Sequence, residues 1–353
     1  MTRSLRSLHL LVPGLLGPLP ALQRLGTLPD VSQLETCLAR AAVADVAGRD
    51  LETTLCALFG IACGEWGGLP LAPLRLAGQG GQAEGGFWIQ ATPVCLRPDR
   101  DRLLLFDTRD IELPMADARE LADGVCSHFS DLGWRLQLTT PHDWFLGMDT
   151  PPRIETCSLG DAFGRNIDQF LPKGEEALHW HGLLNEIQML FHAAQTNQRR
   201  EQRGEPTLSG VWFHGGGFLP RKVAAPFIRV WAGEALARGL AVQASITHTA
   251  TLPDAEAVTA EAGEQLIVYD LLQRPVWRAD PFDWCEGVAE FSAWLTGLVR
   301  AVGSGRLDEL RLYPCNGRVY TLTAASLRRF WRRRLPLLSR LDEHRQRGIS
   351  RTE

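Results

Sequence analysis

Apolar strands alternate with helices at both ends of the chain, and this alternation constrains the fold more than any other sequence feature. Residues 7–12 read as a short buried strand that ends at a Pro/Gly turn, and leucines at helical spacing follow. The pattern resumes with a strand at 208–213 and continues to about residue 322. Because strands separated by helices form parallel sheets, the sequence predicts an α/β core.

The middle of the chain interrupts this alternation. A glycine-rich irregular region is followed by strand patterns, an amphipathic helix and a long apolar helix over 175–203. We therefore predict that residues 1–61 and 208–353 form the core and that residues 62–207 form an inserted, smaller α+β domain.

Composition and charge exclude several classes of protein. With 45% hydrophobic and 22% charged residues, the chain of 353 residues is typical of a globular protein and not of a disordered one. The formal net charge of -4 does not attract nucleic acid to the molecule as a whole, so we expect no such partner unless binding is local.

Cysteine usage and the N-terminal residues bear on localisation. The eight cysteines include no C-x-x-C pair, so they predict neither a zinc site nor a disulfide framework. Scattered thiols suit a reducing compartment, and we expect a cytoplasmic protein. Prolines and glycines interrupt the N-terminal leucines, so we expect neither a signal peptide nor a membrane helix.

Three consecutive glycines, Gly215, Gly216 and Gly217, follow the strand predicted at 208–213. Backbone amides beyond the end of a strand can hold an anion, and a tight turn that needs positive φ is the alternative. The surrounding residues complete neither a phosphate-binding loop nor a dinucleotide fingerprint.

Histidines are concentrated at His179, His181, His192 and His214. Amide side chains, not carboxylates, accompany them on the predicted helix, which favours a hydrogen-bonded structural cluster over a metal site. The sequence also lacks the H-E-x-x-H and G-x-S-x-G motifs.

Arginines crowd the C-terminal segment around Phe330 and Trp331. An acidic partner could dock on the segment Arg328–Arg347, and a solvated helix face is the alternative interpretation.

Several short motifs resemble the archaeal-type cofactor-independent phosphoglycerate mutases. They include the run Asn197–Gly204, the segment Val211–Gly217 and Pro13-Gly14 at the first strand. The block Leu171–Met189 is more similar to bacterial proteins known as RpfE-type regulatory proteins, which look like a divergent branch of the same superfamily. The resemblance implies an alkaline-phosphatase-like core, with a mostly parallel sheet flanked by helices and an insertion that covers the substrate.

The sequence departs from this superfamily where the chemistry resides. The resemblance implies two divalent metals and a serine nucleophile, which phosphoryl transfer requires. The Asp-Gly of strand one is Pro13-Gly14 here, and the second aspartate falls at Gly17. The nucleophile position falls at Leu51, and Pro314–Gly317 replaces an Asp-His pair. We therefore predict no catalytic residue, no metal and no cofactor.

These departures favour a metal-free, catalytically degenerate protein with a binding or regulatory role. A small phosphate or carboxylate would bind at Asn197, Arg200, His214 and Gly215–Gly217, since arginine forks and free amides suit such anions. Two alternatives stay open. One is an active metal-dependent phosphoglycerate mutase or phosphatase, and the other is an interaction scaffold that uses the arginine-rich segment.

Overall fold

A computed structural model describes residues 5–19, 28–64 and 66–341. The chain divides into two compact units. The core unit comprises Met1–Gly60 and Val223–Glu353, and the inserted unit comprises Ile61–Lys222.

The elements follow the chain through both units. The core unit begins with β1 (Arg6–Leu11), α1 (Ser32–Arg40), β2 (Ala42–Asp45) and α2 (Leu51–Leu58). The inserted unit contains α3 (Leu71–Gly78), β3 (Phe87–Asp99), β4 (Arg102–Asp107), α4 (Met115–His128), β5 (Arg135–Thr140), β6 (Asp143–Met148), α5 (Leu159–Ala162), α6 (Ala177–Ala193), α7 (Gln195–Gln202) and β7 (Gly210–Phe218). The core unit resumes with β8 (Phe227–Trp231), α8 (Ala235–Gln243), β9 (Thr247–Thr249), α9 (Ala255–Ala260), β10 (Gly263–Val268), α10 (Gln273–Trp277), α11 (Pro281–Gly303), β11 (Glu309–Tyr313), β12 (Arg318–Thr323) and α12 (Ala324–Leu327).

The core unit is built on a seven-stranded sheet of order β2-β12-β11-β1-β10-β8-β9. The strands from β11 to β9 are parallel, whereas β12 and β2 are antiparallel additions at one edge. The mostly parallel sheet, with helices between its strands, confirms the predicted fold class of an α/β core with an inserted unit.

Helix α11 shows why this core forms. Asp280 caps the helix by accepting hydrogen bonds from the amides of Phe282 and Asp283, and Pro281 occupies the first turn. Its apolar stripe, which includes Trp284 and Phe291, is fully buried against Leu8 and Leu10 of β1 in one hydrophobic cluster.

The inserted unit is an antiparallel sheet with helices on both faces. β3 pairs along one edge with β6 and β4 and along the other edge with β7, and β5 pairs with β6. One face packs in a single cluster with α4 and α6, and residues of α3 pack with Trp88 and Phe145 on the other face.

Two predictions about this unit are corrected. The insertion ends at Lys222, beyond the predicted residue 207, because β7 completes the sheet of the inserted unit by pairing with β3. The helix predicted over 175–203 is two helices, since Ala194 is extended with ψ 135. Asn197 donates a hydrogen bond to the Phe191 carbonyl, which satisfies an acceptor at the end of α6.

The described part of the chain contains no helix with the length and apolar character needed to cross a bilayer.

Candidate functional site

The carboxyl ends of the parallel strands are where open α/β sheets place their ligands. In the core unit this edge is formed by the loops after β1, β10 and β11 and by the start of α2. The side chains of these loops therefore decide what chemistry the core unit can perform.

The loop after β1 directs apolar side chains into the protein. Leu15 and Leu16 are buried in the main hydrophobic cluster of the core unit. Gly14 has φ +84, and a Cβ at this position would overlap the carbonyl oxygen of Leu272. Its own carbonyl accepts a hydrogen bond from Trp284 Nε1 at 2.9 Å. The loop is thus packed and hydrogen-bonded as part of the core.

The start of α2 is also occupied by packing. Leu51, which stands at the predicted nucleophile position, is only 2% exposed. Asp50 caps the helix by accepting a hydrogen bond from the amide of Thr53 at 2.7 Å, and the Thr53 hydroxyl completes the capping box. The carboxylate at this position therefore has a structural partner.

The loop after β11 contributes a buried thiol. Cys315 has φ +58 and is 7% exposed. Burial raises the pKa of this thiol far above its usual value, because a thiolate would lose its hydration. Its Sγ donates a weak hydrogen bond to the Tyr313 carbonyl. A thiol with a raised pKa is a poor nucleophile near pH 7.

A single acidic residue, Asp270, follows β10. Burial raises the pKa of its carboxyl group above the usual value. The described residues contain no group of three or more His, Cys, Asp or Glu side chains placed to hold a metal ion. Besides Asp270 and the capping Asp50, the described residues at this edge present leucines and one thiol, which are too few donors for the two metals that the resemblance implies.

A buried polar cluster lies on one face of the core sheet. His9 of β1 is hydrogen-bonded through Nε2 to Glu264 Oε2 and through Nδ1 to the Tyr313 hydroxyl, each at 3.1 Å. Burial, followed by the charge of Arg311, lowers the pKa of His9 to about 4. The imidazole is therefore neutral near pH 7, and its contact with Glu264 is a hydrogen bond and not an ion pair.

Asn197, the first of the predicted anion-binding residues, is engaged with the backbone. Its Oδ1 accepts a hydrogen bond from the Leu208 amide at 3.0 Å. Its Nδ2 donates to the carbonyls of Phe191 and Leu208, both at 2.7 Å. The side chain thus joins the end of α6 to the segment that leads into β7.

Arg200 also stabilises the segment between α7 and β7. Its Nε donates to the Pro206 carbonyl at 2.9 Å, and its Nη2 donates to the Glu112 carbonyl at 2.8 Å. Nη1 lies 3.3 Å from Asp117 Oδ2 and 3.4 Å from Glu205 Oε2. The guanidinium, 1% exposed, binds the protein's own oxygen atoms.

The glycine triplet lies inside β7 and does not follow it. His214 faces Gln90 and Gly217 faces Trp88, so Gly215 and Gly216 together oppose one residue of β3. This is a β-bulge, and the φ of +66 at Gly215 is the conformation that glycine adopts readily in a bulge. The glycines therefore form a β-bulge within the strand, and not the tight turn that was the alternative interpretation.

Close packing with the start of α3 also requires glycine. A Cβ at Gly217 would lie 2.7 Å from Cα of Pro70, and a Cβ at Gly215 would lie 3.0 Å from Cβ of Leu71. Any larger residue would push the helix away from the strand.

His214 is the predicted site residue that joins a wider polar region. Its Nε2 is hydrogen-bonded to the Thr92 hydroxyl at 2.9 Å. Burial, followed by the charges of Arg75 and Arg109, lowers the pKa of His214 to about 3. Arg75 also donates to Gln90 Oε1 at 3.2 Å. Two cationic side chains thus act on one neutral, buried imidazole.

An ion-pair network that sequence reasoning missed adjoins this histidine. Arg109 Nη1 lies 3.1 Å from Asp107 Oδ2, and Nη2 lies 2.5 Å from Asp143 Oδ1. Burial acts to raise the pKa of Asp143, but Arg109 and hydrogen bonds from Thr140 and Gln79 outweigh it, and the pKa is below its usual value. The polar face of the inserted sheet is defined here as Arg75, Gln90, Thr92, Asp107, Arg109, Asp143 and His214.

No protein-family model matches the chain, and no curated protein matches it in sequence. Solved structures similar to it include the following two. The PH0037 protein from Pyrococcus horikoshii is 11% identical, with a TM-score of 0.52 over 90% of this chain and 87% of that protein. A cofactor-independent phosphoglycerate mutase from Thermoplasma acidophilum is 15% identical, with a TM-score of 0.39 over 98% of this chain and all of that protein.

These similarities concern the fold. At 11% identity the likeness to the PH0037 protein shows a shared arrangement of elements and does not transfer chemistry. The structural likeness to the phosphoglycerate mutase is weaker, with a TM-score of 0.39.

Proposed function

We propose that the chain is a cytoplasmic, metal-free and catalytically degenerate relative of the cofactor-independent phosphoglycerate mutases, with a binding or regulatory role of the RpfE type. The observation that carries this proposal is the apolar character of the carboxyl edge of the core sheet. Leu15, Leu16 and Leu51 are buried there, and Cys315 is held as a thiol. Two-metal phosphoryl transfer requires anionic ligands and an activated nucleophile in such positions.

The ligand in this proposal is a small phosphate or carboxylate that binds at the polar face of the inserted sheet. Of the six residues predicted from the sequence, His214 and Gly215–Gly217 stay in the proposal, whereas Asn197 and Arg200 are assigned to the turn before β7. The charge of Arg75 beside His214 supports an anionic ligand, since guanidinium groups bind such groups through paired hydrogen bonds, whereas Arg109 is engaged by Asp107 and Asp143.

A turnover assay tests the degenerate character. The purified protein is incubated with manganese and 3-phosphoglycerate, and an active cofactor-independent phosphoglycerate mutase serves as the positive control. We expect no turnover by this chain. Turnover that disappears when the metal is chelated would establish the alternative, an active metal-dependent enzyme.

A binding assay tests the ligand class separately. We expect 3-phosphoglycerate to raise the melting temperature, whereas uncharged glycerol at the same concentration leaves it unchanged, because bound ligand stabilises the folded state. Arg75→Gln removes one cation and is expected to abolish the shift. Arg102→Gln, at the exposed first residue of β4, is the matched control. An equal shift in both variants would refute the assignment of Arg75.

A further inference from the structure

Two aromatic side chains are exposed side by side after α12. Phe330 is 81% exposed and Trp331 is 66% exposed, and their ring centroids are 5.3 Å apart at an interplanar angle of 83°. Every residue from 330 to 336 is exposed. Aromatic rings of this size are usually buried, so an exposed pair indicates a surface that binds something.

The same segment concentrates positive charge. Positions 328–334 contain five arginines and no acidic residue. Arg334 lies 3.3 Å from Glu35, and the other four form no ion pair with any described residue. Because the chain carries a net charge of -4, removal of these five charges would leave -9. The positive charge is therefore local.

We propose that the segment 328–334 is a binding site for single-stranded nucleic acid, with little dependence on base sequence. Exposed bases stack on aromatic rings, and the adjacent phosphates pair with arginine forks. One ligand thus satisfies both observed features, the exposed rings and the unpaired guanidinium groups. This site is independent of the phosphate or carboxylate ligand proposed for the inserted unit.

Other anionic partners fit the segment less well. An anionic lipid surface holds amphipathic helices through a broad apolar face, whereas the segment 328–334 is not helical and has only two apolar side chains, Phe330 and Trp331. An acidic peptide supplies carboxylates that pair with the arginines, but it does not place an aromatic group beside each charge to stack on the two rings. Nucleic acid carries bases beside phosphates, and the segment carries two adjacent rings flanked by arginines on both sides.

The acidic remainder of the chain limits this site to a short stretch of nucleic acid. Repulsion from a surface that is otherwise negative should keep the affinity low and strongly dependent on salt. We therefore expect binding to be detected at low ionic strength and to weaken steeply as salt is added.

Fluorescence anisotropy with a labelled oligothymidine of about 20 nucleotides tests the proposal on the full chain. We expect binding at about 50 mM salt. The double variant Phe330→Ala/Trp331→Ala should weaken it at least about tenfold, which corresponds to the loss of one stacked base. Phe282→Ala, at another exposed phenylalanine, is the control and should leave the affinity within about twofold.

The charges are tested with a pair of variants that change net charge equally. Arg332→Gln/Arg333→Gln should weaken binding and reduce the slope of log K against log salt by about 1.4. Arg100→Gln/Arg102→Gln, at an exposed residue of the turn after β3 and at the exposed first residue of β4, should change neither. All these side chains are exposed, and melting curves verify that each variant is folded.

Three outcomes would overturn the proposal. The first is no binding of the oligothymidine at low salt by the folded wild-type chain. The second is an equal loss in the two arginine pairs, which would indicate a general charge effect. The third is tighter binding to vesicles containing phosphatidylserine than to the oligothymidine, with the same dependence on Phe330 and Trp331, which would assign the segment to a lipid surface.

Discussion

The carboxyl edge of the core sheet and the polar face of the inserted sheet differ in what they bury. The first holds Leu15, Leu51 and a protonated Cys315, although such edges commonly gather ligand-binding polar groups. The second buries a charged network around Arg109 and a neutral His214. Apolar side chains stabilise the core whether or not a ligand is present, whereas buried charges persist only where each has a partner.

In the core unit the loop side chains belong to the packing. Leu15 and Leu16 of the loop after β1 lie in the same hydrophobic cluster as Leu8 and Leu10 of β1 and Phe291 of α11. This edge therefore stabilises the folded core without a ligand, whereas the polar face of the inserted sheet depends on partners for its buried charges.

The largest effect is expected when a charge is placed in the apolar carboxyl edge of the core sheet. Leu15→Asp places an aspartate in the loop after β1, as a metal ligand would require, but at a fully buried position. We expect a loss of at least about 4 kcal/mol in the free energy of unfolding, because an unpaired buried charge is costly. Urea unfolding measures it, and Leu15→Met should cost less than about 1.5 kcal/mol. A well-tolerated aspartate would show that the loop is open to solvent.

The next effect concerns the charged network of the inserted unit. Arg109→Gln leaves the buried carboxylates of Asp107 and Asp143 without their cation. We expect a loss of about 3 kcal/mol in the free energy of unfolding. Replacing both carboxylates in the same protein, Asp107→Asn with Asp143→Asn, should recover part of it. A triple variant no more stable than Arg109→Gln would contradict the pairing.

A smaller loss of stability is expected at Asn197, where one variant distinguishes a structural role of the side chain from a role in ligand binding. Asn197→Ala leaves the Leu208 amide and two carbonyls without their hydrogen-bond partner, so we expect a loss of about 2 kcal/mol in the free energy of unfolding. The affinity for 3-phosphoglycerate, measured by calorimetry below the melting temperature, should not change. A selective loss of affinity with unchanged stability would restore Asn197 to the ligand site.

The pH dependence of stability gives the smallest effect, when it is expressed as the change in unfolding free energy per pH unit. His214 has its pKa lowered from 6.5 to about 3, so protonation favours the unfolded chain. The stabilisation is fully present above pH 6.5 and is lost as the pH falls towards 3. In that window His214→Gln should reduce the slope of unfolding free energy against pH by up to about 1.4 kcal/mol per unit. A slope that His214→Gln leaves unchanged would contradict the assignment of a neutral, buried imidazole at His214.

Patterns along the sequence predicted the core well and the inserted unit in part. Apolar residues at helical spacing from Trp284 to Leu298, after the Asp280-Pro281 start, predict the helix that the structure shows as α11, because it is long, capped and packed on one face. The break at Ala194 and the bulge at Gly215 were missed, since both depend on contacts with Asn197 and α3 that local patterns do not contain.

The charged network was missed for a related reason. Arg109 and Asp143 are 34 residues apart and meet only because β4 and β6 pair with the same strand, β3. In the sequence each belongs to a short polar turn that resembles many surface turns. The predicted absence of metal ligands relied on the resemblance, which alone indicated where such ligands should stand.

Isothermal titration of the purified chain with manganese tests whether the carboxyl edge of the core sheet can hold metal ions. We expect no stoichiometric binding, because the described residues of this edge offer buried leucines and too few carboxylates. Saturable binding of two manganese ions per chain, lost when Asp270 is replaced by asparagine, would contradict it and would place a metal centre at that edge.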